Sequence, residues 1–279
     1  MTYLPPSVHR LIALALEEDL GRGDVTSEAI IPPELEAVGE VLVKARGVIA
    51  GLEVAAAVFG AVDPGLTWEA LVRDGEAVSL GQVVARVSGR ARSILAAERT
   101  ALNFLQRLSG IATLTAHYVE ALRGTRTRLT DTRKTTPGWR YLEKMAVRAG
   151  GGHSHRLDLA GGILIKDNHL ALSGNDIPAA VRAVREQAPH TLRVEVEVTD
   201  LAGVEAALAA GAEVILLDNM SLEEMRRAVA LVSGRALLEA SGGITLETVR
   251  AVAETGVDLI SSGAITHSAT ALDISLEIR

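Results

Sequence analysis

Along the second half of the chain, short runs of aliphatic and β-branched residues alternate with stretches whose apolar positions recur at helical spacing. The runs predict strands over Thr127 to Thr130, Gly162 to Ile165, Leu192 to Val198, Glu213 to Leu217, Ala236 to Glu239 and Val257 to Ser261. Between them the periodicity predicts helices over Trp139 to Ala149, Ile177 to Gln187, Leu201 to Ala210, Leu222 to Val232 and Leu246 to Glu254. Asp200, Ser221 and Thr245 are suited to cap helix starts, and Ser221 with Glu224 has the spacing of a capping box. Gly211, Gly234 and Gly256 follow helices where a left-handed residue is wanted. Continuous apolar strands alternating with helices imply a parallel sheet under a helical cover, and the repeat length favours a β/α barrel over a doubly wound sheet. The strands counted fall short of a closed barrel, so an incomplete barrel is expected.

The first hundred residues pattern differently. Strands are predicted over Glu40 to Lys44, Thr67 to Val72 and Val83 to Val87, separated by turn signals such as Asp63-Pro64-Gly65 and Asp74-Gly75, with one short helix over Glu53 to Phe59. This is an N-terminal α+β domain of open-faced sandwich type. A helical stretch from Arg92 to Leu122, broken near Ser109-Gly110, is expected to lead into the barrel. The expected domains are residues 1–107, joined by residues 268–279, and a catalytic barrel over residues 108–267. Asp74-Gly75-Glu76 between strands has the look of a lipoyl or biotinyl hairpin, but the lysine such a carrier modifies is missing.

Composition narrows the chemistry. The 279 residues are 48% hydrophobic, with only 3% aromatic, so the core must be built from Ala, Val, Leu and Ile. The apolar runs are strand length, too short to span a membrane. The N-terminus has Glu17-Glu18-Asp19 where a signal peptide would continue apolar. Zero cysteines exclude disulfides, thiol catalysis and thiolate metal sites, and a cytoplasmic location is expected. The formal net charge of -7 argues against nucleic acid as a partner. Against that acidic background, Arg, Lys and His cluster among glycines from Arg128 to His169, which points to a small ligand carrying several negative charges.

Each predicted barrel strand ends in a polar group, where loops converge on one mouth of such a fold. Asp131, Arg133 and Lys134 follow the first strand, and Lys166 and Asp167 the second. Glu195 and Glu197 lie on the third and point the same way, and Glu197, nearer the open end, is the stronger catalytic candidate. The fourth ends in Asp218-Asn219, the fifth in Ser241-Gly242-Gly243 and the sixth in Ser262-Gly263-Ala264. The last two are of the kind that bind phosphate through backbone N–H groups. Each has a plainer reading: Lys134 or Lys166 as a solvated loop lysine, Gly242-Gly243 as a tight turn, Arg99 as half of a surface ion pair. His153 and His155 lack a second cluster at zinc spacing.

These residues, with Glu98-Arg99-Thr100-Ala101-Leu102-Asn103, Asp131-Thr132-Arg133-Lys134-Thr135, Gly150-Gly151-Gly152, Lys166-Asp167-Asn168-His169 and Ser241-Gly242-Gly243, resemble the nicotinate-nucleotide pyrophosphorylase, or quinolinate phosphoribosyltransferase, family. The likeness runs from Glu18 to the C-terminus. Ser154 departs from the family pattern, which often has Asn before the His-Arg pair. The resemblance implies condensation of quinolinate with phosphoribosyl pyrophosphate, with Mg²⁺, to nicotinate mononucleotide, pyrophosphate and carbon dioxide in NAD biosynthesis. It implies quinolinate binding by Arg99, Arg133, His155, Arg156 and Lys166, with Arg99 supplied across a homodimer interface; dimer or hexamer is left open. For phosphoribosyl pyrophosphate it implies Thr132, Lys134, Lys166, Glu197, Asp218, Ser241, Gly242, Gly243, Ser262, Gly263 and Ala264. Lys134, Glu197 and Asp218 are then the catalytic groups, and Glu197 and Asp218 meet Mg²⁺ directly or through water. A nicotinate-specific transferase is disfavoured because one carboxylate does not call for so many cations. A metal-oxyanion binding protein on the same scaffold is disfavoured by Lys134, Glu197 and Asp218 occurring together.

Overall fold

The computed structural model describes residues 4–279. Its elements begin with α1 (Pro6–Leu20), α2 (Val25–Ile30), β1 (Glu36–Val43), β2 (Gly47–Val48), α3 (Leu52–Val62), β3 (Thr67–Ala70), β4 (Ala77–Val78), β5 (Val83–Arg90) and α4 (Ala91–Ala121). They continue with β6 (Arg128–Thr130), α5 (Arg140–Ala149), β7 (Ile163–Ile165), α6 (Asp167–Leu172), α7 (Ile177–Gln187), β8 (Val194–Val198), α8 (Leu201–Ala209) and β9 (Val214–Asp218). The last are α9 (Leu222–Val232), β10 (Leu237–Ser241), α10 (Val249–Ala253), β11 (Leu259–Ser261), α11 (Ala264–His267) and β12 (Ile274–Ile278). The chain forms two compact units, one of residues up to 116 with 135–151 and 266–279, the other of residues 117–134 and 152–265.

In the first unit a four-stranded antiparallel sheet runs in the order β12-β1-β5-β3. Alternation along its strands sorts the two faces. Val41, Val43, Ala85 and Val87 are buried, while Glu40 and Arg86, paired across the register, meet at 3.1 Å on the other face. The C-terminal β12 extends this sheet through pairs such as Val41 with Leu276. Arg107 on α4 explains how the return segment is held: it donates to the carbonyls of Thr266 and Ala269, each at 2.7 Å, and lies 3.3 Å from the fully buried Glu143. Glu143 lies on α5, expected from sequence as a barrel helix, and Trp139 before it stacks on Phe104 at 4.6 Å, so this helix packs with the first unit.

The expected break at Ser109-Gly110 is absent, and α4 runs unbroken for 31 residues. A Cβ at Gly110 would collide with the Thr270 carbonyl, so this glycine serves close approach of the returning chain. Ser109 and Thr113 hydroxyls bond main chain at Ala50 and Val48, further fixing the helix. The pattern reading also missed α1, although Pro6 at its start and buried Val8, Ile12 and Leu16 at four-residue spacing mark one helix face.

In the second unit six parallel strands follow the order β6-β11-β10-β9-β8-β7, leaving the sheet open between β6 and β7. This is the expected incomplete barrel. Apart from Glu195 and Glu239, the buried positions of the central strands are apolar, among them Val194, Val196, Ile215, Leu217, Leu238 and Ala240. Two of the three predicted caps form: Asp200 accepts from Gly203, and Ser221 and Glu224 close a capping box, whereas Thr245 caps nothing because the helix after it starts later, behind Thr248. Register then decides the site, because direct pairs such as Ser241 with Asp218 bring the C-terminal strand ends level.

Candidate active site

At those strand ends lies a cavity of about 550 Å³, lined by residues from seven separate segments. Thr132, Arg133 and Lys134 come from the loop after β6, where the Lys134 N–H bonds the Thr132 hydroxyl at 2.9 Å and tightens the turn. His155 and Arg156 come from the segment before β7, and Lys166 is the capping residue just before α6. Glu197, Asp218 and the Ser241-Gly242-Gly243 loop complete the wall.

The loops brace one another. Asn219 adopts a left-handed backbone, φ 53°, donates its N–H to the Ser241 carbonyl at 2.9 Å and its amide to Asp218 at 3.0 Å. Gly242, φ 93°, packs so closely on that amide that any Cβ would clash. Gly243 is also left-handed, φ 61°, and successive backbone N–H groups in such a turn form an anion-binding nest. The following α10 begins only at Val249, after a turn, and is shorter than the sequence predicts.

Two kinds of charge share the cavity. Lys166 Nζ lies 2.8 Å from Glu197 Oε2. Arg156 donates to the Gly162 carbonyl at 3.0 Å; burial, and then the Arg133 guanidinium, pull its pKa below the usual value while Glu195 opposes them. An arginine so perturbed remains a cation at neutral pH. His155 accepts the Arg156 N–H at Nδ1, 2.8 Å, and its Nε2 lies 3.0 Å from Glu195 Oε2. Its own backbone N–H donates to Asp131 Oδ1 at 2.8 Å, so Asp131 positions the segment from beneath.

Most predicted residues meet in this one cavity. Ser262 is buried, its hydroxyl bonding the Ile244 carbonyl at 3.3 Å, and neither it, Gly263 nor Ala264 lines the cavity. Arg99 is an exposed residue on α4 in the other unit. The sequence reading passed over Glu239, which is 1% exposed yet touches the cavity. A charged residue inside the apolar run Leu237-Leu238-Glu239-Ala240 was its signal. His155, Glu195 and Glu239 form the one cluster of three or more candidate metal-ligand side chains among the described residues, with ligand atoms within 4.8 Å of one another. His153 is outside that cluster.

Comparison with known proteins agrees over the full length. The family described as quinolinate phosphoribosyl transferase, N-terminal domain, matches residues 24–109, and its C-terminal domain matches residues 111–277. The chain is 45% identical over 273 residues to nicotinate-nucleotide pyrophosphorylase [carboxylating] of Mycobacterium leprae, covering 96% of this chain and 95% of that one. It is 43% identical over 261 residues to the probable enzyme of the same name from Bacillus subtilis, covering 94% and 90%. The solved structure of the nicotinate-nucleotide pyrophosphorylase from Francisella tularensis superimposes with a TM-score of 0.94 at 38% identity, covering 99% of this chain and 98% of that one.

Proposed function

The chain belongs to the quinolinate phosphoribosyltransferase family, and from that membership and the geometry of the cavity we infer how its own residues carry the reaction. The enzyme transfers a phosphoribosyl group to quinolinate with loss of carbon dioxide, giving nicotinate mononucleotide for NAD biosynthesis. The observation that carries the assignment is the meeting of Arg133, Arg156 and Lys166 with Glu197 and Asp218 in one 550 Å³ cavity.

Quinolinate brings two adjacent carboxylates. Arg133 and Arg156, whose planar forks suit carboxylates, and Lys166 hold them, with His155 completing the wall. The C1–oxygen bond to pyrophosphate breaks as the ring nitrogen's lone pair forms the new bond to C1. Positive charge developing at that carbon is stabilised by Glu197 and Asp218, while Lys134 neutralises the departing pyrophosphate. The nest at Ser241, Gly242 and Gly243 takes the 5-phosphate, and Ser262, with Gly263 and Ala264, supports it by tying its hydroxyl to that loop. Thr132 shapes the turn that presents Lys134. The positively charged pyridine nitrogen then accepts the electron pair released as the neighbouring C–C bond breaks, carbon dioxide leaves, and a proton from solvent takes its place.

Mg²⁺ fits the donor set. Glu197 and Asp218 are hard oxygen donors, each already holding one nitrogen partner, Lys166 and Asn219. These two carboxylates would hold an ion that keeps several waters, directly or through one of those waters. It supplies charge neutralisation to the pyrophosphate. Arg99 reaches quinolinate from a second copy of the chain, so the working unit is a homodimer or a higher assembly built from it. The cysteine-free composition suits the cytoplasm.

Incubation with carboxyl-labelled quinolinate, phosphoribosyl pyrophosphate and Mg²⁺ releases carbon dioxide and nicotinate mononucleotide in equal amounts. Ribosylation of nicotinate in preference to quinolinate would overturn the assignment.

A further inference from the structure

Two of the places where the chain passes between its units follow loops assigned to phosphoribosyl pyrophosphate, at Lys134-Thr135 and at Ile265-Thr266. Just past each, the chain is held by one pair of side chains in the first unit. Glu143 on α5, fully buried, accepts the Thr136 hydroxyl on Oε1 at 2.7 Å and the Thr136 N–H on Oε2 at 3.2 Å. Arg107 on α4 donates to the same Oε1 at 3.3 Å and to the Thr266 carbonyl at 2.7 Å. Thr136 stands two residues beyond Lys134, and Thr266 two beyond Ala264. Well-packed apolar side chains would serve stability as well as a buried ion pair does. What the charged pair adds is direction, because a carboxylate and a guanidinium bond their partners at fixed angles.

We propose that Glu143, held by Arg107, is a positioning residue for phosphoribosyl pyrophosphate: it fixes the far end of the loop that presents Lys134 to the pyrophosphate. The near end is fixed where the loop leaves β6, since the Asp131 N–H donates to the His153 carbonyl at 3.0 Å and Asp131 Oδ1 accepts the His155 N–H at 2.8 Å. The far end rests on α5 and the residue before it. Arg140, three residues before Glu143 and so on the same helix face, donates to the Thr135 hydroxyl at 3.0 Å, and the Trp139 N–H donates to the Thr136 carbonyl at 3.0 Å. Between these anchors the Arg133 and Lys134 side chains are exposed, so the two loop ends limit the positions that their charges can reach. Loosening the far end spreads the Lys134 ammonium over positions in which it no longer meets the departing pyrophosphate. Lys134 is nearer Thr136 in the chain and Arg133 nearer Asp131, so the loss falls on phosphoribosyl pyrophosphate more than on quinolinate.

The proposal rests on the reading of Lys134 as the pyrophosphate partner, within a reaction that carbon dioxide release by the parent enzyme tests by itself. Given an active parent, Thr136→Val removes the hydroxyl at an exposed residue while keeping its branched shape, and Glu143→Gln removes the buried charge. Thr136→Val lowers kcat/KM for phosphoribosyl pyrophosphate about tenfold, keeps the quinolinate KM within about twofold of the parent and leaves Tm unchanged. Thr136→Ser, which retains the hydroxyl, restores the parent values. Glu143→Gln shifts the same constants in the same direction; where it also lowers Tm, Thr136→Val decides. The dissociation constant of phosphoribosyl pyrophosphate, titrated calorimetrically with Mg²⁺ present, rises about tenfold in Thr136→Val. Added to Lys134→Ala, the same change has no further effect, because it acts through that lysine. Parent values of kcat/KM in Thr136→Val, an equal loss for both substrates, or losses that add fully with Lys134→Ala overturn the proposal.

Discussion

Arg156 shows how much one side chain is asked to do. It faces the cavity, donates to the Gly162 carbonyl, and through its backbone N–H fixes the ring of His155. Arg156→Ala removes the guanidinium proposed to grip a quinolinate carboxylate while leaving the His155 contact intact, because that contact uses the main chain. The expected result is a quinolinate KM raised by the equivalent of about 2–4 kcal/mol, with little change for phosphoribosyl pyrophosphate. Saturation curves for each substrate check it. Glu239 makes a separate prediction about folding. Its pKa lies at about 7 in the folded chain against an ordinary 4.5, so between those values the folded state holds a proton that the unfolded state has lost. Its stabilising effect is therefore full below the lower value and disappears as pH rises through the upper one. Urea unfolding at pH 5 and pH 8 should show a larger fall in stability for the parent than for Glu239→Gln; parallel falls would refute this.

At the scale of elements, the instructive case is α4. Its Ser109-Gly110 pair has the local chemistry of a helix break, since glycine costs about 1 kcal/mol in a helix interior. The helix continues because the chain returning at Thr270 and Ala271 packs on the bare Gly110 Cα, and Arg107 one turn earlier binds that same return. Gly110→Ala, favourable by helix propensity, is expected to destabilise the protein by about 3 kcal/mol through overpacking, read as a lowered urea midpoint. A gain in stability would mean the return segment yields easily. The strand ends teach the same lesson in another form. Asp218-Asn219 and Ser241-Gly242 are each readable as a turn, yet the left-handed Asn219 and the absent Cβ of Gly242 interlock them.

At the scale of the whole molecule, the proposed use of Arg99 from a second copy has a sharp consequence. Arg99→Ala and Lys134→Ala homodimers should each be nearly inactive. If sites are shared, subunits exchanged between the two variants form hybrids in which one site has both mutations and the other has neither. Half of the dimers are then hybrids with one working site each, so activity should recover toward roughly a quarter of parent specific activity at equal mixing. Mixtures that stay inactive under conditions of proven exchange would place Arg99 within its own chain's site.

By itself the sequence determined the alternation of strands and helices, the caps at Asp200 and Ser221, and the polar groups at the strand ends, because each follows from local periodicity or from chemistry between near neighbours. Family motifs added which of those groups belong to one reaction. Tertiary structure alone decided that α5 packs with the first unit, that Gly110 lies inside a helix, that Ser262 supports a loop without lining the cavity, and that Glu195 and Glu239 meet His155 under the site. Those facts depend on which distant segments come within contact distance. Parallel register sets that for residues tens of positions apart, and no local pattern encodes it.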